Sequence, residues 1–207
     1  MTRRICETAT AFADGEYQID CVSNPTAPQF IATYADEART AEGLFSLLQQ
    51  QQQNYDAFVI ACHGDPNLDA ARQLSKKPVV GIGEASVKVA SMLGHSFSIL
   101  TPVDSIIPWK EDQVRKYHLE HQMASVRVPE AAAGVSFEES LLDAARTAVE
   151  QDMAEVIILG CAAYAGYERF ISERLNVPVL DGVICAVIIA AGLAKYGVTT
   201  SKVRKYR

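Results

Sequence analysis

Apolar runs rich in β-branched residues alternate along this chain with segments of helical periodicity. The runs that predict strands are Tyr17 to Val22, Ala57 to Ala61, Val79 to Ile82, Phe97 to Leu100, Ser125 to Val128, Val156 to Leu159 and Val177 to Leu180. The segments that predict helices are Thr33 to Gln52, Asn67 to Leu74, Ala85 to Leu93, Phe137 to Gln151, Tyr164 to Leu175 and Gly182 to Tyr196. Strands that alternate with helices are typical of βαβ units. The pattern therefore predicts an α/β fold with parallel sheets.

An internal repeat divides the chain. The strand Ala57-Phe-Val-Ile-Ala-Cys62 corresponds to Val156-Ile-Ile-Leu-Gly-Cys161, and a helical segment containing arginine follows each cysteine. A Pro-Val strand comes next in both copies, 16 residues after Cys62 at Pro78 and 17 residues after Cys161 at Pro178. The two copies are offset by about 100 residues, and such an internal repeat is typical of a duplicated supersecondary unit. We therefore expect two pseudo-symmetric, Rossmann-like lobes.

The repeat also predicts the bounds of the two lobes. We expect residues 95–182 to form the second lobe, and residues 1–94 to form the first, which residues 183–207 complete. The second lobe opens with the strand Phe97 to Leu100, whereas the first opens directly with Met1-Thr-Arg-Arg-Ile. We expect that an opening strand of the first lobe is missing because the chain starts short.

Composition narrows the classes of partner. The net charge is −6 and the pI is about 5.2, so the chain has no electrostatic basis for binding nucleic acid. The longest strongly apolar stretch, Val183 to Ala194, is shorter than the roughly 20 residues that cross a bilayer, and no signal-peptide pattern precedes it. We expect a cytoplasmic protein without a membrane or nucleic-acid partner, whose partner is a small-molecule substrate.

The cysteines carry the candidate chemistry. Five are present and none forms a Cys-x-x-Cys pair, so a disulfide framework or a zinc site is not indicated. Cys6, Cys21 and Cys185 have no counterpart in the repeat and are interpreted as packing residues. A lone cysteine at a strand end is usually a small apolar filler. The repetition of Cys62 and Cys161 favours a functional role instead.

Both repeated cysteines follow strands, and ligands of parallel α/β sheets bind at the carboxyl ends of strands. Backbone amides there should lower the pKa of each thiol and hold an anion. Two such thiols suit a reaction that is symmetric about one atom. Racemisation is such a reaction: one thiolate removes a proton next to a carbonyl, and the opposite thiol returns a proton to the other face. This chemistry needs no metal and no cofactor.

Other interpretations of these residues are weaker. His63 next to Cys62 could form a Cys/His nucleophile, but adjacent residues on a strand point to opposite faces. Gly81-Ile-Gly83 lacks the third glycine of a dinucleotide fingerprint. Glu84 and Asp181 follow strands at matching positions and are interpreted as helix caps. Thr101 ends the strand from Phe97 and is a candidate for hydrogen bonding to substrate.

The residues around the cysteines resemble those of hydantoin and allantoin racemases in the Asp/Glu/hydantoin racemase superfamily. The first block is Ala61-Cys-His-Gly-Asp-Pro-Asn-Leu-Asp-Ala-Ala-Arg72 with Val80-Gly-Ile-Gly-Glu-Ala85, and the second is Leu159-Gly-Cys-Ala162 with Val179-Leu-Asp-Gly-Val183. The resemblance covers nearly the whole chain. It implies an active site between two lobes, with Cys62 and Cys161 as acid/base residues, and assembly into a homo-oligomer.

The resemblance also implies a substrate pocket. We expect it to be lined by His63, Gly64, Ala162 and Ala163 beside the cysteines, and by Phe30 and Ile31 before the next helix. Three departures bear on the substrate: His63 replaces a frequent aromatic residue, Asn67 a frequent glycine, and Ala163-Tyr164 a commoner Gly-Met. The family's opening strand and its Asn-Pro-Asn-Thr type loop are not seen before Met1.

The function expected from these features is racemisation of a hydantoin-type ring, either a 5-substituted hydantoin or allantoin, without a cofactor. A related cysteine isomerase or decarboxylase on the same scaffold is one alternative. A noncatalytic protein that binds a small molecule is the other.

Overall fold

A computed structural model of the protein describes residues 1–130 and 133–207. The helices are α1 Thr2–Ala13, α2 Tyr34–Arg39, α3 Ala41–Gln51, α4 Leu68–Leu74, α5 Ile82–Leu93, α6 Ile107–Lys116, α7 Phe137–Glu150, α8 Glu168–Leu175 and α9 Gly182–Tyr196. The strands are β1 Phe58–Ile60, β2 Val79–Gly81, β3 Phe97–Leu100, β4 Met123–Arg127, β5 Val156–Leu159 and β6 Val179–Asp181.

The strands form two parallel sheets. The first sheet pairs β1 with β2, placing Val59 opposite Val80. The second sheet has the order β4-β3-β5-β6, and Ile99 at its centre lies opposite Ile158. Strands β3 and β5 are fully buried, as parallel strands covered on both faces should be. The predicted α/β class with parallel sheets is confirmed.

The repeat appears as two matched units. In the first unit β1, Cys62, α4, β2 and α5 follow one another, and in the second β5, Cys161, α8, β6 and α9 do so. The two strands of each unit pair in parallel. Both cysteines therefore leave the carboxyl end of the first strand of their unit.

Helices α5 and α9 pack on each other and bring the two units together. Their first turns approach closely, because a Cβ added at Gly182 would lie 2.8 Å from the carbonyl oxygen of Ile82. Val183 and Ala186 of α9 share one buried cluster with Ile82 of α5 and with Ile5 of α1. The starts of the two repeated helices thus lie side by side at the core of the molecule.

Several predicted elements need correction. The segment Tyr17 to Val22 alternates like a strand but lies mostly exposed and pairs with neither sheet, and a run without a ladder partner does not form a strand. The helix predicted from Thr33 to Gln52 is two helices that break at Thr40. Helices α1 and α6 fall outside the predicted elements. The division into residues 1–94 with 183–207 and 95–182 stays a prediction.

None of the helices in the two described ranges is both long enough and apolar enough to cross a membrane.

Candidate active site

Cys62 and Cys161 are both partly buried. The backbone amide two residues after each cysteine, that of Gly64 or Ala163, acts to lower the pKa of its thiol. The two thiols lie within electrostatic range of each other and of the same cation, Lys110. The two thiols therefore have matched backbone environments, and their assignment as catalytic residues stays a prediction.

The pKa of each thiol is shifted in the direction opposite to the one expected from the sequence. Burial raises the pKa of Cys62 above its ordinary value, although the Gly64 amide and the Lys110 charge lower it. Burial likewise raises the pKa of Cys161, against the Ala163 amide and Lys110. The expected depression by backbone amides exists, but the loss of solvent outweighs it. The prediction of a lowered thiol pKa is therefore wrong for both residues.

Asp65 ties the first cysteine loop to helix α5. Its carboxylate accepts from the backbone amides of Gly83 at 2.9 Å and Glu84 at 2.6 Å, while its own amide donates to the carbonyl of Cys62 at 2.9 Å. Asp65 has a φ of +49°, in the left-handed region that aspartate tolerates. Burial raises the pKa of Asp65 to about 6. The loop that carries Cys62 is thus anchored on the N-terminus of α5.

The second loop is anchored by the reverse arrangement. Asp181 ends β6 and caps α9 by accepting from the Val183 amide at 2.7 Å, and it also accepts from Gly166 on the cysteine loop at 3.2 Å. The corresponding strand end in the first unit is Gly81, where an added Cβ would collide with the Asp65 carboxylate. In each unit one carboxylate therefore links the cysteine loop to the following helix. Asp65 does so from the cysteine loop, and Asp181 does so from the strand end.

Asp181 has the capping role expected of it, whereas Glu84 does not. The Glu84 carboxylate forms a largely buried ion pair with Arg72 at 2.7 Å and a second one with Lys88. Arg72 also donates to the carbonyl of Val79 at 2.9 Å. Asp65 takes the cap of α5 instead. Glu84 therefore links α5 to α4, and it does not match Asp181.

His63 is buried and does not pair with Cys62. Its Nε2 lies 3.1 Å from Ser86 Oγ, and its Nδ1 lies 2.8 Å from the ammonium of Lys110. Burial, followed by the Lys110 charge, holds the pKa of His63 well below its usual range, so the ring is neutral at neutral pH. The structure thus gives no support to a Cys/His nucleophile.

Helix α6 reaches across to the first cysteine loop. Lys110 and Gln113 both donate to the carbonyl oxygen of His63, each at 2.9 Å, and Gln113 also donates to Asp65 at 3.0 Å. Gly83 sits under this contact, since an added Cβ there would collide with Gln113 and with the His63 carbonyl. A helix from the second half of the chain therefore fixes the loop that carries Cys62.

Of the other predicted pocket residues, Gly64 lies against an aromatic pair. Gly64 faces the Trp109 ring, which an added Cβ would approach to 3.1 Å. Trp109 in turn packs on Tyr34 at the start of α2, with ring centroids 5.4 Å apart. Phe30 is exposed and Ile31 partly buried on the segment leading to that helix. The assignment of these residues to a substrate pocket stays a prediction.

Thr101 and the Ala162–Ala163 turn lie beside the second thiol. Gly160, next to Cys161, donates to the carbonyl of Leu100, so Thr101 and Cys161 leave adjacent strands side by side. Thr101 is fully buried, and its Oγ1 has no hydrogen-bond partner in the described part of the chain. Ala162 is buried and Ala163 is partly buried. An unpartnered buried hydroxyl is costly, which makes Thr101 a good candidate to bind a ligand.

Sequence reasoning missed Asp65, Lys110 and Gln113. Asp65 stands in the first cysteine block, but its role could not be predicted from the sequence because it depends on contact with the start of α5. Lys110 does carry one, because it lies four residues from Ile106 and four from Val114, on the stripe that α6 buries. A lysine on a buried stripe is uncommon and points to a function.

The protein has an α/β scaffold in which each repeated unit carries a thiol at the carboxyl end of a strand. The family model for Asp/Glu/Hydantoin racemase matches residues 1–190. The chain belongs to that family, and its relatives named below make it a racemase, which is an isomerase. It is 38% identical to a hydantoin racemase of Pseudomonas sp. (strain NS671), over all of this chain and 86% of the relative. It is 36% identical to a hydantoin racemase of Rhizobium meliloti, over all of this chain and 88% of the relative.

A solved structure agrees with this assignment. The crystal structure of allantoin racemase from Pseudomonas fluorescens superposes with a TM-score of 0.92 at 33% identity, over 99% of this chain and 90% of the other. Glutamate racemase from Francisella tularensis shares the fold, with a TM-score of 0.64 at 16% identity over 96% of this chain and 80% of the other.

Proposed function

We propose that the protein racemises hydantoin-type compounds, either 5-substituted hydantoins or allantoin, by proton transfer between Cys62, the ring carbon and Cys161. The observation that carries the proposal is the matched setting of the two thiols: each follows a parallel strand, and the amide two residues further on acts to lower the pKa of each thiol. The relatives named hydantoin racemase and the neighbour named allantoin racemase support this substrate class.

In the proposed reaction the enzyme starts with one thiolate and one thiol. The thiolate removes the proton from the carbon next to the ring carbonyl, and the electron pair moves onto the carbonyl oxygen to give an enolate. The other thiol then donates its proton to the opposite face of that carbon. The thiolate has moved from one cysteine to the other, so the product form of the enzyme is ready for the opposite enantiomer.

The surrounding residues have supporting roles in this proposal. The amides of Gly64 and Ala163 stabilise the thiolate on their own side, and the unpartnered hydroxyl of Thr101 binds a polar atom of the ring. His63, Gly64, Ala162 and Ala163 border the ring, and Phe30 and Ile31 line the approach for its substituent.

The test is exchange of the substrate's alpha proton for deuterium, followed by NMR for each enantiomer of allantoin and of several 5-substituted hydantoins. We expect exchange and racemisation by the wild type. Cys62→Ser and Cys161→Ser should each lower the rate of racemisation by at least about a hundredfold, since each removes one of two acid/base groups. Cys6→Ser is the matched control, because that thiol lies on α1 and lines a surface pocket together with Cys21.

The outcomes separate the possible functions. Racemisation that survives Cys62→Ser or Cys161→Ser would exclude the two-thiol mechanism. Binding of these rings without any exchange would exclude the racemase function for this substrate class and favour a binding protein.

A further inference from the structure

Lys110 is a buried cation without a carboxylate partner. The residue is only 3% exposed, yet within residues 1–130 and 133–207 no aspartate or glutamate lies within ion-pair distance of its Nζ. Burial of a charge costs several kcal/mol unless an opposite charge or strong hydrogen bonds compensate for it. The ionised form of Lys110 is therefore costly to bury, and a negative charge placed near it would be stabilised.

The ammonium is held in one orientation by the residue that follows Cys62. It donates to His63 Nδ1 at 2.8 Å and to the His63 carbonyl oxygen at 2.9 Å. Because Lys110 can only donate, Nδ1 must be the unprotonated nitrogen, and Nε2 donates to Ser86. Ser86 completes the chain by donating to the carbonyl of Gly83 at 3.0 Å. The imidazole therefore acts as a neutral clamp for the lysine.

Lys110 interacts electrostatically with both candidate catalytic thiols. Burial lowers the pKa of Lys110 to about 8, while the charges of Cys62, Asp65 and Cys161 raise it. The effect is reciprocal, since Lys110 lowers the pKa of both cysteines. Asp65 is already engaged by the amides of Gly83 and Glu84. The thiols are therefore the remaining sites where a negative charge can develop beside this ammonium.

We propose that Lys110 is a positioning residue for the thiol pair, whose single fixed ammonium stabilises the thiolate on whichever of Cys62 and Cys161 carries it. The inference rests on the proposed two-thiol function. A lone cation that serves both bases suits a reversible racemase, because the negative charge alternates between the two sulfurs. Below its pKa of about 8 Lys110 is mostly protonated, so one thiolate, one thiol and one ammonium sum to zero charge before and after each turnover.

The test measures thiol reactivity rather than turnover. Each cysteine is alkylated with iodoacetamide over a range of pH, and the modified peptides are quantified by mass spectrometry. Iodoacetamide is neutral, so removal of a charge does not change its attraction to the site. Lys110→Met removes the charge and the hydrogen bonds, whereas Lys110→Gln removes the charge and keeps a donor for His63.

We expect alkylation of both Cys62 and Cys161 at neutral pH to slow by about tenfold in both variants, with the midpoint of the pH dependence moved upward. Lys116→Met is the matched control, because Lys116 lies on the same helix but at its exposed end, paired with Asp69. Buried Cys185 is the internal reference in every sample. Unchanged reactivity of both thiols in Lys110→Gln would overturn the proposal, and so would slowing in Lys110→Met alone, which would indicate loop positioning without a charge effect.

A second measurement uses the wild-type side chain and does not depend on the stability of the lysine variants. The Lys110 Cε resonance is followed by carbon-13 NMR in protein labelled at lysine. It should titrate near the pKa of about 8, and the alkylation profile of Cys62 should show an inflection in the same pH range, because loss of the ammonium charge raises the pKa of the thiol. An alkylation profile of Cys62 without an inflection near the Lys110 midpoint would contradict the proposal.

These readouts also separate the inference from the proposed function. If the wild type shows no alpha-proton exchange but the Lys110 variants slow thiol alkylation, the proposed function fails and the role of Lys110 stands. If exchange depends on both cysteines but the pH profile of kcat in Lys110→Gln matches the wild type, the proposed function stands and this inference fails.

Discussion

The carboxylate of Asp65 accepts a 2.6 Å hydrogen bond from the backbone amide of Glu84, which fixes the Cys62 loop to the first turn of α5. The same α5 turn lies against α9, whose own cap, Asp181, holds the loop of Cys161 through Gly166. The relative position of the two thiols is thus determined by two carboxylates and one pair of helix N-termini. Changes in this framework should affect the cysteines without touching them.

Asp65→Asn tests the first of these links through its titration. The pKa of Asp65 is raised from 3.8 in the unfolded chain to about 6 in the folded protein, so between these values the folded state binds more protons. The contribution of Asp65 to the free energy of unfolding is therefore fully present below about pH 4 and is lost as the pH rises through about 6. Asp65→Asn should remove this slope, as urea unfolding of both proteins at several pH values will show. Parallel pH dependences would contradict this assignment.

The repeated strand patterns were sufficient to predict the centre of the fold. Phe97–Leu100 and Val156–Leu159 were predicted to the residue, because each is a compact apolar run that the sheet buries on both faces. Cys62 and Cys161 followed from the repeat itself. Tyr17 to Val22 does not form the predicted strand, because its alternation is local whereas a strand needs a partner that only the fold supplies.

The remainder of the site depends on contacts between distant segments. Lys110 reaches His63 across 47 positions, and Asp65 reaches Gly83 across 18, so neither spacing is visible as a local motif. The departure at Asn67 is explained by its backbone, because its φ of +57° is the left-handed conformation that glycine also adopts. Asn67 adds hydrogen bonds from its side chain to Glu37 and Thr40, which a glycine could not make.

Arg72→Met should destabilise the protein by about 3 kcal/mol, because it leaves the Glu84 carboxylate buried with Lys88 as its remaining partner. The matched control is Arg39→Met, which removes an exposed ion pair with Asp36 and should cost less than about 1 kcal/mol. Chemical denaturation of the two variants gives the comparison. Equal losses would show that burial of the Arg72–Glu84 pair has no special cost.

Gly83→Ala should destabilise the protein and also lower its rate of catalysis. The added methyl group would collide with the His63 carbonyl and with Gln113, so α6 and the Cys62 loop would have to separate. We expect a loss of about 1–3 kcal/mol in the free energy of unfolding, and a fall in kcat.

Gly192→Ala is the control for that change. Gly192 lies in α9 with nothing near the place of an added Cβ, so alanine there should stabilise the protein by about 0.5–1 kcal/mol. Thermal unfolding and the initial rate of racemisation should be measured for both variants. A neutral Gly83→Ala would contradict the tight approach of α6 to the loop.

The pH dependence of catalysis follows from the two raised thiol pKa values. Each turnover needs one thiolate and one thiol, and burial keeps both cysteines largely protonated at neutral pH. Below the first apparent pKa of the pair, kcat/KM should therefore rise about tenfold for each pH unit. It should fall again where Lys110 or the second thiol loses its proton, which gives a bell on the alkaline side.

The profile should be recorded as alpha-proton exchange for each enantiomer separately. The two enantiomers use the cysteines in opposite roles, but the free enzyme holds the same pair, so the two kcat/KM profiles should share their apparent pKa values. Circular dichroism at each pH shows that the protein stays folded. A profile that is flat from neutral to alkaline pH would mean that the thiols are already ionised, against the effect of burial, and two different profiles would mean that the cysteines do not act as one pair.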